Sequence, residues 1–500
     1  MGKVYANNNI KTMSQMVSNF ISKDILDISR KYDDAYRKKD IDGIVKLIEE
    51  SKETLEGELN LSSKMQVLYD IATGYGELRD LKNTEENLES EILFFRKAIQ
   101  IYEYPLNELC SDEKGVMDYI AAQCYVNIGN AMRSVGRYIS AIDNYFNSAN
   151  IYEDFGMAYC NLSASLFEYA MMQTRIYETQ YYQHAGYYYY IRTIQTAETL
   201  HDTKILQDLQ NYIKLFHVDY VEGFLEKGLN LPEIFFDSDE EVEYRSYLSI
   251  FRLFLDPCED ILPDPCFWVD SLVLPLKPGE NKLNDEFIGL FNQLKADFSH
   301  ARYLWYITTV KDENISSLSE KNNDLIDLKD TADFSYKEML LRTSYKLFYS
   351  CFDKLGLFIN EFFEVGLEGN QISFKNVWKN KIYKKSVKNP IKARFDNCAL
   401  KTLYWIQKDI AEDNETNITD PYAMPMCRMR NDMEHNALRT VKNIVYSEKE
   451  TIFTNYTSEG SIEHNIFRIM KLLRESLICL TIAVNYDTNK NKNDDLTHFN

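Results

Sequence analysis

The chain has 500 residues, more than a single hydrophobic core usually holds, so two or more domains are expected. Hydrophobic residues make up 45% and aromatic residues 13% of the sequence, which excludes a globally disordered protein. The formal net charge of -21 at pH 7 excludes nonspecific coating of nucleic acid, so any RNA contact must be local.

The cysteines, the N-terminus and the apolar runs indicate the compartment. Nine cysteines lie between Cys110 and Cys479 with no CxxC pair and no histidine at zinc-binding spacing, which predicts reduced thiols. The first residues lack the charged and apolar regions of a signal peptide. No apolar stretch approaches the roughly 18 residues that a transmembrane helix needs. We expect a soluble, cytoplasmic protein with no membrane contact, no metal and no other cofactor.

Residues 1–235 show apolar side chains three and four positions apart, which is the helical period. Within this region one pattern recurs after 34 residues. It consists of Tyr125, Asn127, Ile128 and Gly129, followed by Tyr159, Asn161, Leu162 and Ser163. This is the period of tetratricopeptide repeats, and residues 127–151 resemble one such repeat. We predict a tetratricopeptide-like helical solenoid; the alternative is an irregular helical bundle with one chance match.

Stacked helical pairs leave a concave surface that binds other molecules, so residues 1–235 are expected to bind a partner rather than to catalyse. Tyrosines are dense in residues 177–190. They line the binding groove in one interpretation and pack between repeats in the other.

Residues 236–279 are predicted to form an irregular connector between two domains. Six of the ten prolines lie between Pro232 and Pro278. The same window contains an acidic run from Asp237 to Glu243. Both features are typical of irregular segments.

Residues 280–486 return to the helical period, and five segments predict an antiparallel helical bundle. The segments are 281–310, 334–363, 393–411, 425–446 and 461–486. Residues 487–500 are polar without an apolar period and are expected to be a frayed tail. Strand-like alternation is nearly absent, so the predicted fold class is all-α.

In the fourth segment of the bundle, Arg430, Asn431 and His435 resemble the active-site motif of HEPN domains, and their chemistry suits the metal-independent RNA cleavage that this resemblance implies. His435 can take the proton of a ribose 2'-hydroxyl near neutral pH. The forked charge of Arg430 can hold the scissile phosphate and stabilise the negative charge that develops on it. Asn431 lies four residues before His435 and therefore on the same helical face, where its amide can orient the imidazole.

Arg430, four intervening residues and His435 match the Arg-x4-6-His signature of HEPN domains, in which asparagine commonly follows the arginine. Ala301-Arg302-Tyr303 and residues 353–363 resemble a bacterial branch of that family linked to defence against phage. The resemblance covers roughly residues 280–487. It implies a metal-independent endoribonuclease that cleaves single-stranded RNA, with tRNA as a candidate, and leaves 2',3'-cyclic phosphate and 5'-hydroxyl ends.

The same resemblance implies a homodimer formed through the C-terminal domain, with the site where two protomers meet. Members of that branch are often fused to tetratricopeptide-like regions. The chain is therefore expected to be a toxin in anti-phage defence, with repeats that sense a protein or phage-derived ligand. One alternative is a non-catalytic HEPN-like dimerisation scaffold whose repeats bind a protein partner. Another is a toxin whose acidic repeats cover its basic surface until a ligand binds.

A second arginine competes for the phosphate role. Arg428, six intervening residues before His435, fits the loose family spacing and shares the face of the histidine about 10 Å along the helix axis. Arg430 lies beside the predicted apolar stripe of that helix. In the purely structural alternative, Arg430 and Glu434 are an ordinary i,i+4 ion pair and His435 is a solvated helix residue.

A basic segment between Gln371 and Phe395 is predicted to bind RNA. It holds eight lysines or arginines and no acidic residue. They are Lys375, Lys379, Lys381, Lys384, Lys385, Lys388, Lys392 and Arg394. Trp378 and Tyr383 are interleaved and offer stacking surfaces for unpaired bases. A solvated loop is the alternative.

Overall fold

The chain forms two compact units that are largely helical, so the predicted all-α fold class is confirmed. The first unit is Met1–Asn230 with Asp413–Pro421, and the second is Leu231–Glu412 with Tyr422–Asn500. The computed structural model describes residues 17–103, 110–153, 155–196, 200, 204–216, 235–261, 265–275, 284–311, 315–321, 323, 325, 332–379, 391–410, 418–441 and 454–497.

Among the described residues of the first unit, each helix packs against the next one in sequence. The helices are α1 (Lys23–Arg37), α2 (Ile41–Leu55), α3 (Leu61–Lys82), α4 (Leu88–Tyr102), α5 (Ser111–Ser134), α6 (Tyr138–Ile151), α7 (Gly156–Ala170), α8 (Ile176–Gln195) and α9 (Lys204–Lys214). A Cβ added at Gly129 would lie 2.5 Å from Tyr145 Cε1, so this glycine permits the close contact of α5 and α6. Stacked helical pairs require such packing; the tetratricopeptide assignment itself stays a prediction.

The tyrosines of residues 177–190 divide between the interior and the surface. Tyr181 and Tyr182 are buried, which fits packing between helices, whereas Tyr177 and Tyr188 are exposed. The packing interpretation therefore holds for Tyr181 and Tyr182, and the groove interpretation stays a prediction.

A short stretch from the C-terminal half of the sequence belongs to the first unit. Arg96 of α4 donates a 3.0 Å hydrogen bond to the Thr419 carbonyl, and the same nitrogen lies 3.5 Å from Asp420 Oδ2. Asp420 is only 2% exposed, so Arg96 offsets a buried negative charge. The chain returns to the second unit at Tyr422.

Two carboxyl groups of α3 are held in surroundings that favour their neutral form. Asp70 is buried and accepts hydrogen bonds from Ser29 Oγ at 2.6 Å and Gln66 Nε2 at 2.9 Å. Burial raises the pKa of Asp70 to about 7 in spite of these bonds. Burial, and then the negative charges of Asp33 and Asp70, raise the pKa of Glu77 to about 8.

We expect the first unit to lose stability as the pH rises from about 4 to about 8. In that window the folded chain holds protons on Asp70 and Glu77 that the unfolded chain has released, so folding takes up protons. Each fully retained proton changes the free energy of unfolding by about 1.4 kcal/mol per pH unit, and the partial exposure of Glu77 reduces its share.

Thermal unfolding of the full chain at pH 5, 6, 7 and 8 measures this dependence. Asp70→Asn together with Glu77→Gln should flatten the fall in the melting temperature of the first unit. Equal slopes for the variant and the natural chain would contradict the expectation.

The second unit contains six α-helices and one two-stranded sheet among the residues that the structure describes. These are α10 (Asp239–Ile250), α11 (Asp285–Thr309), α12 (Tyr336–Phe362), α13 (Cys398–Gln407), α14 (Ala423–His435), β1 (Ala437–Val441), β2 (Thr454–Ser458) and α15 (Glu459–Thr497). Helix α15 packs against α11, α12 and α13 and so forms the centre of the bundle. Across the described ranges, no helix combines the length and the apolar character that a membrane span requires.

The segment 236–279, expected to be an irregular connector, contains helix α10 and buried residues. The acidic run supplies the first turn of α10, where negative side chains interact favourably with the positive end of the helix dipole. Ser238 caps this helix by accepting a hydrogen bond from the Glu241 amide. Leu253, Leu255 and Cys258 then enter the interior of the unit.

Two buried arginines from distant helices hold this segment. Arg302 of α11 donates to both carboxylate oxygens of Asp270, at 2.9 and 2.7 Å. Arg474 of α15 donates to Asp260 at 2.7 Å and to the Phe254 carbonyl at 2.6 Å. Buried charges require such partners, which explains why a segment rich in prolines and acidic residues is ordered against the bundle.

The helix predicted over residues 425–446 is wrong beyond His435. Helix α14 ends at that residue, Asn436 is extended with φ -125° and ψ -177°, and strand β1 follows. Residues 442–446 lie outside the described residues.

The cause of the strand is tertiary. Strand β1 pairs in parallel with β2 in a register that places Ala437 opposite Thr454. On its other side, the Thr440 carbonyl accepts a 2.8 Å hydrogen bond from the Asp333 amide, and the Thr440 hydroxyl donates to Glu338 at 2.7 Å. Strand preference depends on such neighbours, which local periodicity does not reveal.

The predicted helix 393–411 is shorter in the structure. Helix α13 begins at Cys398 because Asn397 caps it, with its side-chain oxygen accepting a 3.2 Å hydrogen bond from the Leu400 amide.

The stretch 487–500 was expected to be a frayed tail, but helix α15 continues to Thr497. Asp487 and Thr488 are buried, and Arg394 lies 3.3 Å from Asp487. An ion pair and packing therefore extend the helix beyond the apolar residues that predicted it.

Candidate active site

Helix α14, which carries the predicted catalytic residues, is anchored on α12. The apolar stripe predicted for this segment comprises Met426, Met429, Met433, Ala437 and Thr440. The three methionines are buried in α14, whereas Ala437 is exposed and lies with Thr440 in strand β1. The hydroxyl of Tyr345 in α12 donates a 2.6 Å hydrogen bond to the Met426 carbonyl. Burial raises the pKa of Tyr345 well above its ordinary value, which keeps this hydroxyl a donor. The backbone of α14 is therefore fixed beneath the side chains discussed below.

Arg430 is half-buried between α14 and α12. Its Nη2 lies 3.6 Å from Asp353 Oδ2, and its guanidinium carbon lies 5.8 Å from the centre of the Tyr349 ring. Glu434, the partner that sequence spacing offered, lies instead 3.4 Å from Lys346 Nζ. The structure therefore gives Arg430 partners on α12 in place of the i,i+4 pair with Glu434 that the structural alternative offered.

His435 is the last residue of α14 and is exposed. Arg428, one of the two candidate phosphate ligands, is also exposed. Asn431 is half-buried, and its Nδ2 lies 3.6 Å from Cys427 Sγ. Asn431 keeps the four-residue spacing that would let it orient His435. Its amide, however, contacts the sulfur of Cys427, one turn earlier in the helix.

Helix geometry separates the two arginines. Arg428 and His435 project from nearly the same side of α14, about 10 Å apart along the axis. Arg430 is about 7.5 Å from His435 along the axis and about 140° around it. Within one chain, α14 therefore directs Arg430 towards α12 and Arg428 along the exposed side that carries His435.

A pocket of about 550 Å³ opens beside Arg430. Its lining combines aromatic rings, amides, two cations and one carboxylate. The lining residues are Tyr349, Phe352, Asp353, Gly369, Asn370, Ile372, Ser373, Phe374, Lys375, Asn376, Gln407, Ile410 and Arg430. Of these lining residues, only Arg430 and Lys375 had a functional role predicted from the sequence. The others come from elements that are separate in the chain, so no sequence motif joins them.

Close backbone packing shapes one wall of this pocket. A Cβ at Gly356 of α12 would lie 2.4 Å from the Phe374 amide nitrogen, so only glycine lets the segment containing Phe374 lie against the helix. Asn360 holds the turn that follows α12, exchanging two hydrogen bonds with the backbone of Leu367. Asn376 Nδ2 donates to the Gln371 carbonyl at 2.9 Å and fixes the far side.

Four of the eight basic residues in the predicted RNA-binding segment lie among the described residues. Lys375 lines the pocket, Lys379 is exposed, Lys392 Nζ lies 5.1 Å from the centre of the Tyr404 ring, and Arg394 pairs with Asp487. The other four predicted RNA-binding lysines lie outside the described residues, as does Tyr383. They are Lys381, Lys384, Lys385 and Lys388.

Trp378 does not offer the stacking surface that its place in the basic segment suggested. It is 2% exposed and packs edge-on against Phe374 and Tyr404. Its ring fills the core beneath the pocket wall, because burying a large aromatic surface is strongly favoured.

The second unit is a helical bundle in which one helix carries Arg430 and ends at His435. Residues 280–487 match the family described as LA2681-like HEPN, which supports a HEPN domain in the second unit. No curated protein and no solved structure matches the chain. The HEPN resemblance is thereby confirmed for this region, and the tetratricopeptide-like repeats stay a prediction.

Proposed function

We propose that the second unit is a metal-independent endoribonuclease acting on single-stranded RNA. The observation that carries this proposal is the HEPN match over residues 280–487, which contains both Arg430 and the exposed His435. HEPN domains are generally ribonuclease folds, and an exposed imidazole is accessible to a polymer substrate.

The proposed reaction is an internal transesterification. The ribose 2'-oxygen attacks the neighbouring phosphorus, the bond from phosphorus to the 5'-oxygen breaks, and the products are a 2',3'-cyclic phosphate and a 5'-hydroxyl end. His435 takes the 2'-hydroxyl proton or gives a proton to the leaving oxygen. An arginine stabilises the charge on the phosphate: Arg430 by the family spacing, or Arg428 by its position on the side of His435. Asn431 is proposed to orient the imidazole.

We propose that two copies of the second unit complete the site. Within one chain, Arg430 and His435 project from different sides of α14, as described above, so one arginine and one histidine from different copies can face the same phosphate. Association that places the exposed side of α14 in one copy against the Arg430 side of α14 in the other would bring the histidine of one copy to the arginine of its partner.

His435→Ala is expected to lower RNA cleavage by about 10²- to 10⁴-fold, because the proton transfer loses its positioned side chain. Purified full-length protein is incubated with total RNA in EDTA, and new 5'-hydroxyl ends are counted. His300→Ala, an exposed histidine on α11, is the matched control and should cleave normally. Full activity of His435→Ala would contradict the proposed role of His435 in proton transfer.

The second candidate is a non-catalytic dimerisation scaffold whose repeats bind a protein partner. The pairing of Arg430 with Asp353 favours it, because a carboxylate already offsets the charge that a phosphate would use. A natural chain that dimerises and produces no 5'-hydroxyl ends from RNA would support the scaffold and reject the nuclease.

We further propose that the first unit senses a protein or phage-derived ligand and restrains the second unit in anti-phage defence. The supporting observation is the stretch 413–421, which belongs to the first unit and leads directly into helix α14. A ligand that changes how the first unit holds this stretch would act at the start of the helix that carries His435.

Arg96→Ala is expected to raise toxicity in growing cells several-fold, because the buried carboxylate of Asp420 loses its cation and the stretch is released. Colony counts after induction measure it. Arg30→Ala, which removes an exposed i,i+3 ion pair of the same unit, is the control. Unchanged or lower toxicity of Arg96→Ala would count against restraint by the first unit.

A further inference from the structure

We propose that the pocket beside Arg430 binds one unpaired nucleotide, with the base inside and the phosphate at its rim between Arg430 and Lys375. The inference rests on the proposed function in so far as this nucleotide belongs to an RNA substrate. It adds a substrate subsite that the Arg430 and His435 pattern does not contain.

The pocket has the volume of a small-molecule site, and packing and hydrogen bonds hold its walls. Its volume of about 550 Å³ lies within the range of about 300–1,000 Å³ that small-molecule sites occupy. Phe352 and Phe374 are each 3% exposed and lie with ring centres 5.3 Å apart, so its floor is packed. The close approach at Gly356 and the hydrogen bonds of Asn360 keep the wall in place.

The lining chemistry fits a nucleotide. The half-buried ring of Tyr349 provides a surface on which a base can stack, and side-chain amides can donate to and accept from a base edge. Asn370 and Gln407 supply side-chain amides from two separate elements. Asn370 lies in the 3-10 helix Gly369–Gln371, and Gln407 is the last residue of α13. Lys375 and Arg430 add two cations, which a phosphate recruits and a neutral metabolite would not need.

The contact between Arg430 and Asp353 is long and partly exposed. The 3.6 Å separation exceeds the roughly 2.7–2.9 Å of a strong charge-assisted hydrogen bond. The side chains of Arg430 and Asp353 are 34% and 54% exposed, so water weakens their attraction further. A phosphate can therefore replace the carboxylate as the partner of the guanidinium, and Asp353 opposes that replacement by charge repulsion.

The test is calorimetric titration of the full-length protein with AMP, GMP, CMP and UMP, and with the corresponding nucleosides. We expect at least one nucleotide to bind about tenfold or more tightly than its nucleoside. Lys375→Ala should remove most of that difference, and Asp353→Asn should tighten nucleotide binding about threefold without changing nucleoside binding. Lys311→Ala, which removes a surface lysine outside the pocket, should change neither.

Binding and cleavage give separate readouts. Competition by the tightest nucleotide against single-stranded RNA distinguishes a subsite for RNA from a site for a free nucleotide, and inhibition supports the former. Nucleotide binding that leaves RNA binding unchanged overturns the RNA assignment. The absence of binding at millimolar nucleotide, or binding indifferent to Lys375→Ala and Asp353→Asn, overturns the pocket proposal even if the protein cleaves RNA. Loss of cleavage in His435→Ala bears only on the nuclease proposal.

Discussion

Arg430→Ala is expected to lower the rate of RNA cleavage about a hundredfold while changing the melting temperature of the second unit little. Removing one group that stabilises charge in the transition state commonly costs about 3 kcal/mol, which corresponds to two decades in rate. The ion pair of Arg430 with Asp353 is partly exposed and adds at most about 1 kcal/mol to stability. Arg430→Lys should rescue poorly, because an ammonium lacks the planar fork of the guanidinium.

Arg428→Ala is the matched comparison, since both side chains leave the same helix two residues apart. The family spacing predicts a small effect at Arg428 and a large one at Arg430, whereas the shared exposed side of Arg428 and His435 predicts the reverse order. Cleavage rates and melting temperatures of the two single variants decide between them. A destabilised but active Arg430→Ala refutes the family assignment.

Mixing two inactive variants tests whether the site is shared between copies. If the arginine and the histidine come from different protomers, a mixed dimer of Arg430→Ala with His435→Ala contains one intact site and regains activity. If both residues act within one chain, every site in the mixture lacks one of them and the mixture stays inactive. Sedimentation of the mixture confirms that mixed dimers form before the rates are compared.

Arg474→Ala is expected to lower the free energy of unfolding of the second unit by about 3–5 kcal/mol, because it leaves a buried charge without its partner. Arg474 and Asp260 are each 1% exposed, and Nη1 of the arginine lies 2.7 Å from Oδ1 of the carboxylate. Burial raises the pKa of neighbouring Glu259 well above its ordinary value, although the positive charge of Arg474 acts in the opposite direction.

Denaturant unfolding of the full chain measures this loss. Lys311→Ala, which breaks an exposed pair with Glu240, is the control and should change the free energy of unfolding much less. Adding Asp260→Asn to Arg474→Ala should recover part of the stability, because the uncompensated charge is then gone. A loss below 1 kcal/mol for Arg474→Ala would contradict a role of this pair in holding residues 254–260 to the bundle.

Helical periodicity by itself determined the long elements of the second unit. The predicted helix 281–310 is Asp285–Thr309 in the structure, and 334–363 is Tyr336–Phe362. The buried stripe of α14 followed from its methionines. These elements are predictable because burying one face of a helix requires apolar residues at a fixed local spacing. The short motif in α14 likewise pointed to the HEPN domain that the family match supports.

Only the tertiary structure decided what depends on residues far apart in the chain. Helix α14 stops at His435 because Asp333 and strand β2 hold the next residues as a strand. The proline-rich segment is ordered because Arg302 and Arg474 supply cations from two distant helices. The pocket beside Arg430 exists because α12, α13, α14 and the segment around Phe374 meet there. Sequence periodicity carries local spacing, whereas pairing of charges, strands and cavity walls depends on which distant residues the fold brings together.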